Sequence, residues 1–264
     1  MCCWRGAPSE AGPARSRLAV AALLALAIAA PGAARAQDSV ATELALILNL
    51  PASRLDVVRE GRIETSYRVA IGQPEFPTPT GEFLVSAAEW NPWWVPPARE
   101  WTKGQEPMPP GPTNPMGRVK LFFRAFYYLH GTPDSGSIGR AASHGCVRLG
   151  NGDAVALATT LIRVGVPSIE PERLAAMAAD RVATLSVPFE RRIPLAIEYR
   201  VVEPAGDSVR IHPNPYRWSP AQILEALRAE RPALAVPGER LERLLEAARD
   251  GTITVPSREL IEPR

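Results

Sequence analysis

Residues 91–117, NPWWVPPAREWTKGQEPMPPGPTNPMG, constrain the fold more than any other stretch. Proline has no N–H to give to a sheet ladder, so a segment this rich in proline and glycine reads as a long loop and not as a central strand. Long ordered loops inside compact domains are often lids or binding loops. This one carries Trp93, Trp94 and Trp101, with Trp90 just before it. Most of these rings are expected to pack the loop onto a core, leaving one or two for a cleft. The loop divides a series of short β-like runs. Before it come LALILNL (Leu44–Leu50), LDVVRE, IETSYRVAI and GEFLVSAAEW (Gly81–Trp90). After it come RVKLFF and AFYYLHG, with a bend at Arg124-Ala125 and His130 near the end. Short β-rich runs joined by turns predict hairpins and a mainly β fold.

Helical signals appear later. Asp153 is the expected N-cap of a helix with AVALATTLIRV as its body and Gly165 as its stop, and VPSI reads as a strand. Beyond residue 170, PERLAAMAAD predicts a short helix, while VATLSVP, IPLAIEYRVV and SVRIH predict strands. Ser219-Pro220-Ala221-Gln222 has the form of a capping box with proline at the first helical position. In RLERLLEAARDG, Leu241, Leu244, Leu245 and Ala248 share one helical face, and Gly251 is the expected stop.

The N-terminus bears on location. Arg15 and Arg17 precede the uncharged run LAVAALLALAIAAPG, and Ala34-Arg35-Ala36 follows. A basic start, a short apolar stretch and a small-x-small site read as a secretory signal over residues 1–36. The run is short of the roughly 20 residues of a membrane span, although an uncleaved anchor is the alternative. Removing the signal takes away Arg5, Arg15, Arg17, Arg35 and Glu10, leaving a chain close to neutral. No basic face is implied, which argues against nucleic acid as a partner. Cys2 and Cys3 go as well, so Cys146 is the one cysteine left to the exported protein. Exported proteins use cysteines mostly in pairs, so a single one is a reactive thiol, an intermolecular link or an inert buried residue.

Cys146 lies in HGTPDSGSIGRAASHGCVRLGN, together with His130 and His144. A free thiol has a pKa of about 8.5, and a histidine in contact can take its proton. A Cys–His pair is thus a nucleophile with its own base. Gly145 lets the backbone approach a substrate closely, and backbone N–H groups beside the nucleophile can receive an oxyanion. In an extended segment His144 and Cys146 would share a face, and His130 could reach from a neighbouring strand; spacing leaves both as candidate bases. Zinc would need more ligands at tighter spacing than one cysteine and these histidines supply. His212, in IHPNPY, reads as structural.

SHGCVRL preceded by LHGT resembles the signature of the L,D-transpeptidases, the YkuD catalytic domain. LNLPASRLDVVREG, TPTGEF, NPWWVPP and PPGPTNPMG upstream, and NGDAVALATTLIRVGVPSI downstream, extend the resemblance across residues 43–169, and IPLAIEYRVVEPAGDSVRIHPNPY resembles a C-terminal extension of some members. The resemblance implies a β-rich, barrel-like sandwich with one packed helix, followed over 170–264 by an α/β extension. It implies that Cys146 is the acyl-accepting nucleophile, His130 the base and the Gly131 carbonyl its orienter. His144 and Ser143 would shape the site, Gly145 and Cys146 would give oxyanion N–H groups, and Arg148 would hold a substrate carboxylate. The implied reaction forms 3→3 cross-links between peptidoglycan stem peptides in the periplasm or cell envelope, through a cysteine thioester and with no cofactor or metal. The same Cys–His site could instead serve an L,D-carboxypeptidase or endopeptidase, or attach or remove a wall-anchored lipoprotein. A wall-binding protein without catalysis is the reading from another class.

Overall fold

The computed structural model describes residues 44–230 and 236–261. The expected signal over 1–36 lies outside the described residues. Residues from 44 onward fall within one compact unit.

The first half is built of strands. β1 (Ala45–Asn49), β2 (Arg54–Arg59) and β3 (Arg62–Arg68) form an antiparallel meander, with Leu46 opposite Val57 and Leu55 opposite Tyr67. β4 (Ile71–Gly72) is a short piece, and β5 (Gly81–Trp90) enters the 91–117 loop. β6 (Val119–Arg124) and β7 (Tyr127–Thr132) make a hairpin whose turn is Ala125-Phe126, one residue beyond the expected bend at Arg124-Ala125. β8 (Ala141–Ser143) pairs with β4, and β9 (Val147–Gly150) runs parallel to β7. The chain then turns straight into α1 (Asn151–Gly165) and α2 (Pro171–Ala179).

The helix is capped three residues earlier than the expected Asp153. Gly150 is its N-cap and Asp153 sits in the first turn. The reason is tertiary: the Asn151 side chain is turned back to accept the Arg118 N–H at 2.9 Å, which ties the helix start to the strands. VPSI is not a strand. Backbone bonds from Val166 N–H to Ile162 O and from Ile169 N–H to Val166 O close it as a turn.

A second departure concerns β10 (Leu185–Glu198). VATLSVP and IPLAIEY do not make two strands; they join in one 14-residue strand with an irregularity between Pro188 and Ile193. That strand, from the stretch assigned on sequence to the extension, lies in the main sheet between β1 and β5. The full sheet order is β3-β2-β1-β10-β5-β6-β7-β9, with β1–β10 and β7–β9 parallel and the other pairs antiparallel. Beyond β3, Ala70 exchanges two backbone bonds of 2.9 Å with Arg148 on β9, so the two edges of the sheet meet and the barrel is nearly closed. The fold is mainly β with some helix, as the sequence reading expects.

The remaining elements form the C-terminal part. β11 (Val202–Ala205), β12 (Ser208–Ile211), α3 (Pro220–Glu230), α4 (Gly238–Ala247), β13 (Ile253–Pro256) and α5 (Ser257–Ile261) place three strands beside three helices. The expected capping box is formed: Ser219 N–H donates to Gln222 Oε1 at 2.8 Å, and Gln222 N–H to Ser219 Oγ at 3.3 Å. His212 is structural in its contacts. Its Nε2 is 3.0 Å from Glu203, which also receives Arg54 of β2, and its Nδ1 is 2.8 Å from the Thr252 hydroxyl. This cluster ties β2 to the C-terminal strands and holds the Glu203 carboxyl far below its usual range, first through His212 and then through Arg54.

α1 decides which face of the sheet becomes a site. Ala154, Leu157, Ala158, Leu161, Ile162 and Gly165 are buried and recur at helical spacing. They cover the apolar face carrying Val119, Leu121, Leu129, Val147 and Leu149. Replacing Leu161 with alanine should lower the unfolding free energy by about 2–5 kcal/mol, the range for a deleted core leucine side chain. Urea unfolding followed by circular dichroism measures this, and a loss well below that range would mean that α1 is not sealing the sheet.

Candidate active site

Alternation along a strand sends neighbouring side chains to opposite faces. In β7, Leu129 points to the α1 side, so Tyr128 and His130 point away from it. In β9, Val147 and Leu149 are fully buried, so Arg148 points away as well. The parallel register sets Leu129 opposite Val147 and His130 opposite Arg148. One step earlier, Tyr128 lies beside Cys146. His130, Arg148 and Cys146 therefore gather on one face, with Lys120 of β6 opposite His130 on the other side. The sequence left the choice between two histidines open; the register puts His130 on the same face as Cys146.

The SHGC turn has its own bracing. Gly145 has φ +106°, and a Cβ there would lie 2.8 Å from Tyr127 Cε1, so the position needs glycine for both conformation and space. The Ser143 hydroxyl donates to Cys146 O at 2.5 Å and accepts the Gly145 N–H at 3.1 Å. Ser143 is thus a brace of the turn, and the Gly145 N–H, expected as an oxyanion donor, is already donated in this structure. Thr78 donates its hydroxyl to Gly145 O at 2.9 Å, accepts the Gly72 N–H at 2.9 Å, and is itself held by Tyr216 Oη at 3.0 Å from its N–H. The sequence reading missed Thr78 and Tyr216. TPTGEF was legible only as a turn, and nothing local links it to a tyrosine 138 residues away.

His130 is 5% exposed, and its Nδ1 is 2.7 Å from Gly131 O. A carbonyl only accepts, so that nitrogen carries the proton and Nε2 is the basic one. Burial is the main cause that pulls the His130 pKa down to about 4, with Arg148 and Lys120 adding to it and the Gly131 and Met116 carbonyls opposing it. Burial also pushes the Cys146 thiol above its ordinary value, against the Tyr128 backbone, Arg148 and Lys120. Both groups are neutral at rest. The thiol sits 3.7 Å from Phe126 O and is not hydrogen-bonded to His130.

His144, on the turn, is exposed and packs against the 91–117 loop. Its ring stacks on Trp101 at 3.9 Å and 7° and lies 4.9 Å from Phe76. Of the tryptophans, Trp90 is in the core, whereas Trp93 and Trp101 are 50% and 37% exposed. Arg148 is 3.7 Å from the exposed carboxylate of Asp134, a loose one-point pair that leaves its fork open to another anion. Among the described residues no three His, Cys, Asp or Glu side chains gather as a metal site.

Partial burial is the first cause lowering the His144 pKa, followed by Arg148. Trp101→Ala should therefore raise it toward the ordinary histidine value, as read by NMR titration of the ring. A fall would show instead that the indole was stabilising the imidazolium by a cation–π contact.

Residues 44–167 match the family model of the YkuD L,D-transpeptidase catalytic domain. Two relatives carry names that assign them provisionally to the L,D-transpeptidases. YqjB of Bacillus subtilis (strain 168) is 31% identical over 122 residues, covering 44% of this chain and 65% of that protein. YbiS of Escherichia coli (strain K12) is 39% identical over 93 residues, covering 32% of this chain and 30% of that protein. The match thus spans less than two thirds of either relative. Among solved structures, an L,D-transpeptidase from Mycobacterium tuberculosis H37Rv aligns with a TM-score of 0.37 at 16% identity, over 59% of this chain and 57% of that one. Residues 44–167, with an SHGC turn beside a buried His-Gly strand, are thus the part of the chain that matches the YkuD L,D-transpeptidase catalytic domain.

Proposed function

We propose that this chain is an exported L,D-transpeptidase that forms 3→3 cross-links between peptidoglycan stem peptides through a thioester on Cys146. The observation that carries the reading is the shared face of β7 and β9, where His130, Cys146 and Arg148 stand together while the opposite face is sealed by α1.

In the proposed mechanism, Cys146 attacks the carbonyl of meso-diaminopimelate in a donor tetrapeptide, and its proton passes to His130 Nε2. The Gly131 carbonyl keeps Nδ1 protonated and the ring in place. With the Gly145 N–H taken by Ser143, the developing oxyanion falls to the Cys146 N–H. The C–N bond breaks, the imidazolium returns the proton to the leaving D-alanine amine, and the acyl group remains on sulfur. An amine of a second stem then attacks the thioester, with His130 taking its proton and the thiol restored. Arg148 supplies a forked donor for a substrate carboxylate. Water in place of the amine would give a carboxypeptidase, and a lipoprotein lysine would give attachment. The catalytic unit in this reading includes β10, because that strand completes the sheet.

Incubation with a donor tetrapeptide, or with a carbapenem as acylating probe, should add one acyl mass to the intact protein. Cys146→Ala should remove the adduct, and His130→Ala should slow its formation by about 10²–10⁴-fold. An adduct that persists on the Cys146→Ala protein would rule the reading out.

The pH profile tests the neutral resting pair. Protonation of His130 removes the base, so acylation should fall as pH drops through about 4 and stay level through the neutral range. Because the thiol is raised, no rise from pre-formed thiolate should appear below the ordinary thiol range. Stopped-flow acylation rates over pH measure both limbs; a midpoint near 6.5, the ordinary histidine value, would show that His130 is not buried as described.

A further inference from the structure

A second charged pair lies on the same face and takes no part in the mechanism above. Lys120 Nζ is 2.7 Å from Glu89 Oε1, and their side chains are only 14% and 19% exposed. Lys120 is the β6 partner of His130, and Glu89 is the β5 partner of Lys120. The ammonium does not stay in its own row. It leans over the next one, 4.8 Å from the Phe122 ring centre and 5.2 Å from that of Tyr128. Tyr128 is the strand neighbour of Cys146, so the lean carries the charge toward the sulfur.

We propose that Lys120, held by Glu89, is a positioning residue for acyl transfer: a partly buried cation that supports negative charge as it develops on Cys146 Sγ. This rests on Cys146 being the nucleophile. Two neutral groups must become an ion pair at the moment of attack, and a fixed cation in low dielectric lowers the cost of the anion. The groups around the sulfur are few. Arg148 stands on β9, His130 and Tyr128 on β7, Lys120 on β6 and Glu89 on β5, with His144 on the turn. Arg124 lies over the Tyr127 ring at the hairpin tip, and Asp134 beside Arg148. Lys120 and Arg148 are the two whose charge favours the Cys146 thiolate. Arg148 is paired with an exposed carboxylate and is read above as a substrate contact. Lys120 is fixed by a partner already in place, which suits a permanent electrostatic role. The faces of the Phe122 and Tyr128 rings attract the ammonium at 4.8 and 5.2 Å.

The test is the pH dependence of iodoacetamide alkylation at Cys146 in the full chain, followed by peptide mass because Cys2 and Cys3 also react. It reads the thiol whether or not the protein transfers acyl groups, so its failure is distinct from failure of the proposed function. Lys120→Met should move the midpoint up by about one pH unit, Glu89→Gln should move it down, and Lys120→Arg should leave it near the original value. Opposite shifts from the two neutralising variants are the signature of a charge effect. An unmoved midpoint in both, or a shift of the same sign in both, overturns the proposal. Should Lys120→Met fail to fold, the direction of the Glu89→Gln shift decides alone.

Discussion

The site depends on one pairing, the parallel register of β7 against β9. Parallel strands cannot be joined by a tight turn; they need a crossover of a dozen or more residues. Here the crossover runs from Pro133 through β8 to the SHGC turn, and its length is the separation of His130 from Cys146. A slip of one residue in either strand would send His130 or Arg148 into the α1 core and bring a leucine or valine to the cleft. The buried apolar residues between the functional ones enforce the register, because Leu129, Val147 and Leu149 have nowhere else to go.

Burial sets the chemistry that the register makes possible. The same desolvation that keeps His130 neutral keeps Cys146 a thiol, and the nearby cations only partly offset it for the sulfur. A site of this kind stores no exposed thiolate. In the proposed reaction charge appears only as a substrate is attacked, where fixed groups act on it at close range.

The C-terminal residues are part of the support. β10 stands between β1 and β5, Tyr216 holds Thr78, and Thr78 holds the carbonyl of Gly145. Glu203 and His212 tie the outer meander through Arg54. The turn that carries Cys146 is therefore braced from the C-terminal stretch.

Local chemistry in the sequence was enough for the mainly β class, the proline-rich loop, the Ser219 capping box and the candidacy of Cys146 with its histidines. Each depends on a residue and its near neighbours: a missing N–H, a side-chain oxygen at a helix start, a thiol with no partner. The start of α1 escaped it, because Asn151 is recruited by Arg118 and not by its own helix, and VPSI escaped it, because its backbone closes as a turn at the end of α1. Only the tertiary structure decided that His130 shares a face with Cys146, that His144 stacks on Trp101, that β10 lies inside the sheet and that Thr78 and Tyr216 brace the turn. These are relations between segments far apart in the chain, fixed by sheet register and by burial, and the residues on either side of each carry no trace of them.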